Sequence, residues 1–161
     1  MLLSERYICH ASPPPRSFAA LMEMYEANYI RLRRLCPGLS SLGAQAVSRV
    51  NGALDLHAVV LERCRYTTTL VLTYELMGEH GELTADPNLV VRMYHDARQA
   101  EVLSRASRRD GGEISIEALH SDSALITKWR LNRFLYKWLG YCLHQGHRFE
   151  LAAPEGEPAL A

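Results

Sequence analysis

The chain shows no block of one charge, no long apolar run and no cysteine pair. Its 18 Lys and Arg balance 18 Asp and Glu, so the formal net charge at pH 7 is zero with His neutral. Bulk electrostatics therefore do not point to nucleic acid or an anionic membrane, and only local patches can argue for either. No segment is apolar for long enough to cross a bilayer. The opening Met1-Leu2-Leu3-Ser4-Glu5-Arg6 places an acid and an arginine where a signal peptide keeps its apolar core. Cys9, Cys36, Cys64 and Cys142 are far apart and form no Cys-x-x-Cys pair, so their spacing suggests neither a zinc ribbon nor a disulfide framework. The Gly-rich pattern of a phosphate loop is missing too. The expectation is a cytoplasmic protein with reduced thiols, no membrane attachment, no cofactor and no metal site.

What is present is periodicity. Phe18, Leu21, Met22, Tyr25, Tyr29, Leu32 and Leu35 recur at spacings of three and four, one buried stripe of a helix over 16–35. Ser17 or Ser12 starts it, and Pro37-Gly38 stops it. Arg31, Arg33 and Arg34 fall in its last two turns, where cations meet the negative end of the helix dipole; capping and solvation is the favoured reading of that cluster. A second helix runs from Ser121-Asp122-Ser123 to Gly146, with Leu125, Lys128, Leu131, Phe134, Leu135, Trp138, Leu139, Cys142 and Leu143 on its buried side. Arg130, Arg133, Lys137 and His144 form the opposite, basic stripe.

Between the helices the period changes to two. Asn51-Gly52 marks a hairpin with a type I′ turn. Leu54, Leu56, Ala58 and Val60 alternate with Asp55, His57, Val59 and Leu61. Over 66–76, Tyr66, Thr68, Leu70, Leu72, Tyr74 and Leu76 alternate with Thr67, Thr69, Val71, Thr73 and Glu75, and further on Leu89, Val91 and Met93 alternate with Val90, Arg92 and Tyr94. Residues 78–87 and 105–112 read as polar loops, and 113–118 as one more short strand. Short connections between strands imply an antiparallel meander. The fold class is α+β: four to six antiparallel strands with the N-terminal and C-terminal helices on one face, leaving His57, Thr67, Thr69, Thr73, Arg92 and Tyr94 on the other. Residues 1–15, ending in three prolines, form a flexible arm; 16–149 make a single domain; 150–161 form a disordered tail.

Four segments carry a family resemblance: Met24-Tyr25-Glu26-Ala27-Asn28-Tyr29 with Leu32-Arg33-Arg34-Leu35-Cys36-Pro37; Arg65-Tyr66-Thr67-Thr68; Val91-Arg92-Met93-Tyr94-His95-Asp96-Ala97 with Ala100-Glu101-Val102; and Leu131-Asn132-Arg133-Phe134-Leu135 with Trp138-Leu139, Tyr141-Cys142-Leu143 and Gly146. In order and spacing the chain resembles the YqiB-like proteins of proteobacteria, over about residues 20–147. One departure precedes the last helix. There the family usually has Tyr-Pro-Asn and then Asp-Glu-Lys, and this chain keeps only Lys128. The resemblance implies a fold and cytosolic residence but no activity.

The densest chemistry is Arg92, Tyr94, His95 and Asp96. A histidine beside a carboxylate suits a general base near neutral pH. Adjacent strand residues point to opposite faces, however, and no nucleophile is near in sequence. The bland reading has Asp96 closing a turn, His95 at the sheet edge and Arg92 paired with an acid such as Glu75. Arg65 beside Thr67 and Thr68 suits a phosphate or carboxylate. If the meander closes as drawn, Arg65 and His95 meet at one edge. Cys142-x-His144-x-x-His147 does not put its three groups on one helix face, and zinc is not expected. Asn132 reads as a structural hydrogen bond.

The expected function is thus a non-enzymatic binding or adaptor domain for an anionic small molecule or an acidic protein surface, held by Arg65, Thr67, Arg92, Tyr94, His95 and Asp96. One alternative is an enzyme acting on a nucleotide-like substrate with His95 as base. The other, not favoured, is RNA binding by the basic face of the second helix.

Overall fold

The computed structural model describes residues 13–108, 114–118 and 124–150. Most of the proposed arm and almost all of the proposed tail lie outside them. The elements are α1 (Phe18–Leu35), a 3-10 turn (Leu39–Ser41), β1 (Gln45–Ser48), β2 (Leu56–Arg63), β3 (Thr67–Met77), β4 (Leu83–Tyr94), β5 (Gln99–Arg108), β6 (Ile114–Ala118) and α2 (Ala124–His144). The strands form one sheet whose spatial order equals their chain order, every neighbouring pair antiparallel. The α+β meander is as expected.

One boundary of each helix follows from local chemistry, while the α2 start expected at Ser121-Asp122-Ser123 lies outside the described residues. Ser17 Oγ accepts the Ala20 N–H at 3.2 Å and caps α1. At the end of α2, Gly146 adopts φ 93°. Its N–H donates to the Leu143 carbonyl at 3.1 Å, and the His147 N–H donates to Cys142 at 3.0 Å, the paired bonds of a Schellman stop. Leu32 and Leu35 of α1 and Leu131, Leu135, Trp138, Leu139 and Cys142 of α2 share one core with Leu56, Leu70, Leu72, Leu89, Val91, Met93 and Val102 of the sheet. Both helices therefore lie on one sheet face. Phe18, in the first turn of α1, does not reach this core and is 67% exposed; Leu125 and Phe134 of α2 are exposed as well. On the other face, Val71 and Val90 form a small buried cluster with Val59 and Leu103.

Three strand details differ from the sequence reading. Leu83–Pro87 is strand, not loop: the β3–β4 connection is only the Gly78–Glu82 turn, closed by Gly78 N–H donating to the Glu82 carbonyl at 2.8 Å. Pro87 is tolerated there because the ladder shifts register between Thr73 and Glu75, beside it. The Val50–Ala53 turn has positive φ at Gly52 alone, so it is not type I′. β5 continues through Arg105 to Arg108, residues whose composition reads as a loop.

A fourth detail shapes the functional end of the sheet. β2 slips register between Val60, opposite Leu70, and Glu62, opposite Thr69. Strict alternation would put Arg63 on the side away from the helices. The bulge reverses it, so Arg63 sits opposite Thr68 on the helix side and Glu62 moves to the far side.

The helices are joined by polar groups as well as apolar ones. Buried Asn132 accepts the Val102 N–H at 2.9 Å through Oδ1 and donates to the Lys128 carbonyl at 2.8 Å, which ties α2 to β5. Asn28 donates to the Asn132 carbonyl at 3.2 Å. Arg31 lies with Cζ 3.5 Å over the Tyr136 ring and donates to the Tyr136 carbonyl at 2.5 Å. Gly140 makes that seat: a Cβ there would collide with Arg31 Nη1.

Candidate functional site

At the end of the sheet where β2 leaves and β3 begins, the C-terminal half of α1 overhangs two turns. The space between is an open cleft of about 1100 Å³. Its α1 wall carries Glu26, Tyr29, Ile30, Arg33 and Arg34. Its opposite wall carries Arg63 from the end of β2, Cys64 and Arg65 from the β2–β3 turn, Thr68 from β3, and His95, Ala97 and Arg98 from the β4–β5 turn. Five arginines thus face one glutamate among the lining residues.

His95 is the best-anchored polar group of the cleft. Its N–H donates to the Tyr66 carbonyl at 2.8 Å, which fixes one turn against the other. Nδ1 lies 3.1 Å from the Tyr29 hydroxyl and Nε2 lies 2.8 Å from Thr68 Oγ1. Both partners are hydroxyls, which donate or accept, so they suit either neutral tautomer and the doubly protonated ring. Burial and then the Arg33 guanidinium hold the His95 pKa below its ordinary value, against an upward pull from Asp96.

The arginines differ in commitment. Arg63 is spent on the fold, donating from Nη2 to the Leu39 carbonyl at 3.1 Å and to the Leu42 carbonyl. Arg33, Arg34, Arg65 and Arg98 are exposed. None of the four is paired with a carboxylate among the described residues. Arg65 has its Cζ 5.2 Å from the Tyr66 ring centre. Arg98 holds φ 52°, the left-handed region that costs a side-chain-bearing residue about 1–2 kcal/mol.

The family model described as "Protein of unknown function (DUF1249)" matches residues 31–148 of this chain. The chain belongs to this family. Proteins described as "Uncharacterized protein YqiB" from three Escherichia coli strains (K12, O6:H1 CFT073 and O157:H7) are each 32% identical over 132 residues, covering 80% of this chain and 90% of theirs. The resemblance to YqiB-like proteins is thereby confirmed. No solved structure matches the chain. The DUF1249 match includes every arginine of the cleft, whereas Glu26, Tyr29 and Ile30 precede it.

In this DUF1249 chain the residues singled out from sequence fall into two groups. Arg65 and His95 line the cleft together, with Asp96 exposed in the same turn as His95. Arg92, Tyr94 and Thr67 occupy the other sheet face. There Arg92 Nε donates to Thr69 Oγ1 at 3.0 Å and Nη2 lies 3.9 Å from Glu62, the acid the bulge moved across. The Tyr94 hydroxyl donates to Glu101 at 2.6 Å, and Lys128 lies 4.0 Å from the same carboxylate. Burial, then Glu101, raises the Tyr94 pKa. Thr67 stands opposite Tyr94 in the ladder. The helix-end arginines Arg33 and Arg34, read from sequence as capping, are cleft residues, as are Tyr29, Thr68 and Arg98.

The other candidates have structural partners. His147 is 2% exposed, with Nδ1 2.9 Å from Ser48 Oγ, and Cys142 is buried against the Tyr74 hydroxyl at 3.1 Å. No cluster of metal-binding side chains occurs among the described residues. No helix among them is long and apolar enough to cross a membrane.

Proposed function

We propose that this protein is a binding module whose cleft between α1 and the end of the sheet takes an anionic ligand. One observation carries the reading: four exposed arginines without a carboxylate partner among the described residues, Arg33, Arg34, Arg65 and Arg98, converge on a cleft that also contains His95. Like charges brought together repel, and a bound anion relieves that repulsion. The arginine fork presents paired N–H donors to carboxylate or phosphate oxygens. His95 adds a charge on protonation, and an anion beside it raises its pKa. By linkage, affinity rises as pH falls through that pKa and falls as pH rises.

The test is to follow the histidine ring signals by NMR during titration with sulfate, whose charge stays constant near neutral pH. The His95 signals should move saturably while those of buried His147 stay. His95 signals that do not move would overturn the reading.

A second reading keeps one specific observation. Thr68 Oγ1 lies 2.8 Å from His95 Nε2, the spacing of a hydroxyl and its base. Against it, Thr68 is only 5% exposed. Hydrolysis of an aryl phosphate by the wild type, lost in His95→Ala, would favour this enzyme reading; absence of turnover would remove it for phosphate esters.

A further inference from the structure

The charge around the cleft exceeds what one small anion offsets, and the surplus bears on the ligand's shape as well as its sign. We propose that the cleft takes a linear oligophosphate, free or as an organic ester; this rests on the anion-binding reading above and narrows it.

Two features set the length of the anion. The uncommitted guanidiniums stand on two walls, Arg33 and Arg34 on α1 and Arg65 and Arg98 on the turns at the sheet end. A compact monoanion satisfies one wall and leaves the other unpartnered. The second feature is the balance of charge. With Glu26 the single acid among the lining residues and Asp96 beside His95, five arginines against two acids leave an excess of three positive charges when His95 is neutral. A phosphate monoester brings about −2 at pH 7, as does a dicarboxylate, whereas each added phosphoryl group contributes about one further charge a few Å along the chain. A diphosphate or triphosphate therefore matches the count and offers phosphoryl groups to both walls. Each guanidinium fork takes two oxygens of a phosphoryl group.

The cleft, at about 1100 Å³, has room beyond the phosphates. Ile30, 53% exposed on the α1 wall, and Pro37 give that extra room an apolar side on which an organic substituent can rest. Arg98 supports the same reading. A glycine at its left-handed position would relieve the strain, yet an arginine is held there with its side chain at the cleft.

The experiment is calorimetric titration of the full chain with orthophosphate, pyrophosphate, tripolyphosphate, citrate and ADP, near neutral pH and at fixed ionic strength. Pyrophosphate, tripolyphosphate and ADP should bind once per chain and at least about tenfold more tightly than orthophosphate, the gain from about one added charge-assisted contact. Arg33→Ala/Arg34→Ala and Arg65→Ala/Arg98→Ala should each remove most of that preference. Arg130→Ala/Arg133→Ala, on the solvent face of α2, should keep it. ADP tighter than pyrophosphate would assign an organic ester as occupant; equal affinities would assign the inorganic chain.

Equal binding of orthophosphate and tripolyphosphate would overturn the oligophosphate inference and leave the anion reading standing. Citrate binding as tightly as tripolyphosphate would overturn the phosphate chemistry. Loss of the preference in the α2 control would overturn the placement. No binding of any of the five would overturn both readings. Exposed Cys64 gives a second measurement, because Cys36 and Cys142 are buried. In a Cys9→Ser background, bound tripolyphosphate should slow Cys64 alkylation, and an unchanged rate would count against the site.

Discussion

His95 and His147 lie toward opposite ends of the sheet, and each meets a hydroxyl. His95 touches Thr68 and Tyr29 at the end where β2 leaves. His147 touches Ser48, whose partner Leu56 starts β2. Burial lowers both pKa values. The surroundings separate them. His147 is 2% exposed, its Ser48 partner also accepts the Arg148 N–H at 3.0 Å, and the adjoining Phe149 donates its N–H to the Leu35 carbonyl. It fastens the chain after α2 to β1 and α1. His95 lines an open cleft with four uncommitted arginines. One hydroxyl–imidazole pair closes the structure, and the other faces solute.

The largest expected effect tests the closing role. His147→Ala removes a buried ring and one of the two partners of the Ser48 hydroxyl, and should cost about 3 kcal/mol in urea denaturation. His95→Ala, at a half-buried position with water close by, should cost about 1 kcal/mol or less. Similar losses at the two positions would erase the contrast.

The next largest effect separates arginines that are neighbours in sequence. Arg33→Ala/Arg34→Ala should leave stability within about 0.5 kcal/mol and weaken sulfate or phosphate binding at least about tenfold. Arg31→Ala gives up the Tyr136 ring and its carbonyl, and should cost about 2 kcal/mol of stability with little change in anion affinity. If Arg31→Ala proves silent and the double variant unstable in thermal melts, the assignment of the helix end is reversed.

The pH dependence is smaller. Both histidines have folded pKa values below the unfolded value of about 6.5, so the unfolded chain takes up their protons first. Stability is therefore lost as pH falls below about 6.5 toward the folded pKa values, and is fully present above. An anion in the cleft opposes this at His95 alone. Sulfate affinity should rise about threefold or more between about pH 8 and 5.5, and His95→Ala should flatten the change. Sulfate also stabilises folded proteins generally, so its effect on melting must be compared with that in the arginine double variant. An affinity independent of pH would remove His95 from the site.

Much of the architecture was legible because it rests on period. Thr68, Leu70, Leu72 and Tyr74 face the helices as their alternation required, and Leu32, Leu35, Leu131 and Leu135 occupy the core that their spacing implied. Leu83–Pro87 was not legible, since glycine, acid and proline compose a loop as readily as a bulged strand. The site was half legible. Arg65 and His95 could be placed at one edge from the meander alone. Arg63 could not, because a bulge decides its face, and the φ of Arg98 leaves no trace in composition. Arg33 and Arg34 satisfy the helix dipole wherever they point, so their sequence position fits capping and cleft alike.

The smallest expected effect concerns Arg92, which sequence proximity grouped with His95. Alternation already argues against the grouping: Arg92 and Tyr94 share the face opposite Met93, and Met93 belongs to the core beneath the helices. Arg92 is held by Thr69 and lies near Glu62, on the far side of the sheet from the cleft. Between it and the cleft stands Glu62, which accepts the Cys64 thiol at 3.4 Å and offsets the Arg92 charge, and water screens what remains. Arg92→Ala should therefore change sulfate affinity by less than about twofold. It should cost no more than about 1 kcal/mol of stability, because its partners are partly hydrated. A tenfold loss of affinity, measured beside Arg65→Ala under the same conditions, would join the two sheet faces into one site and end the distinction between them.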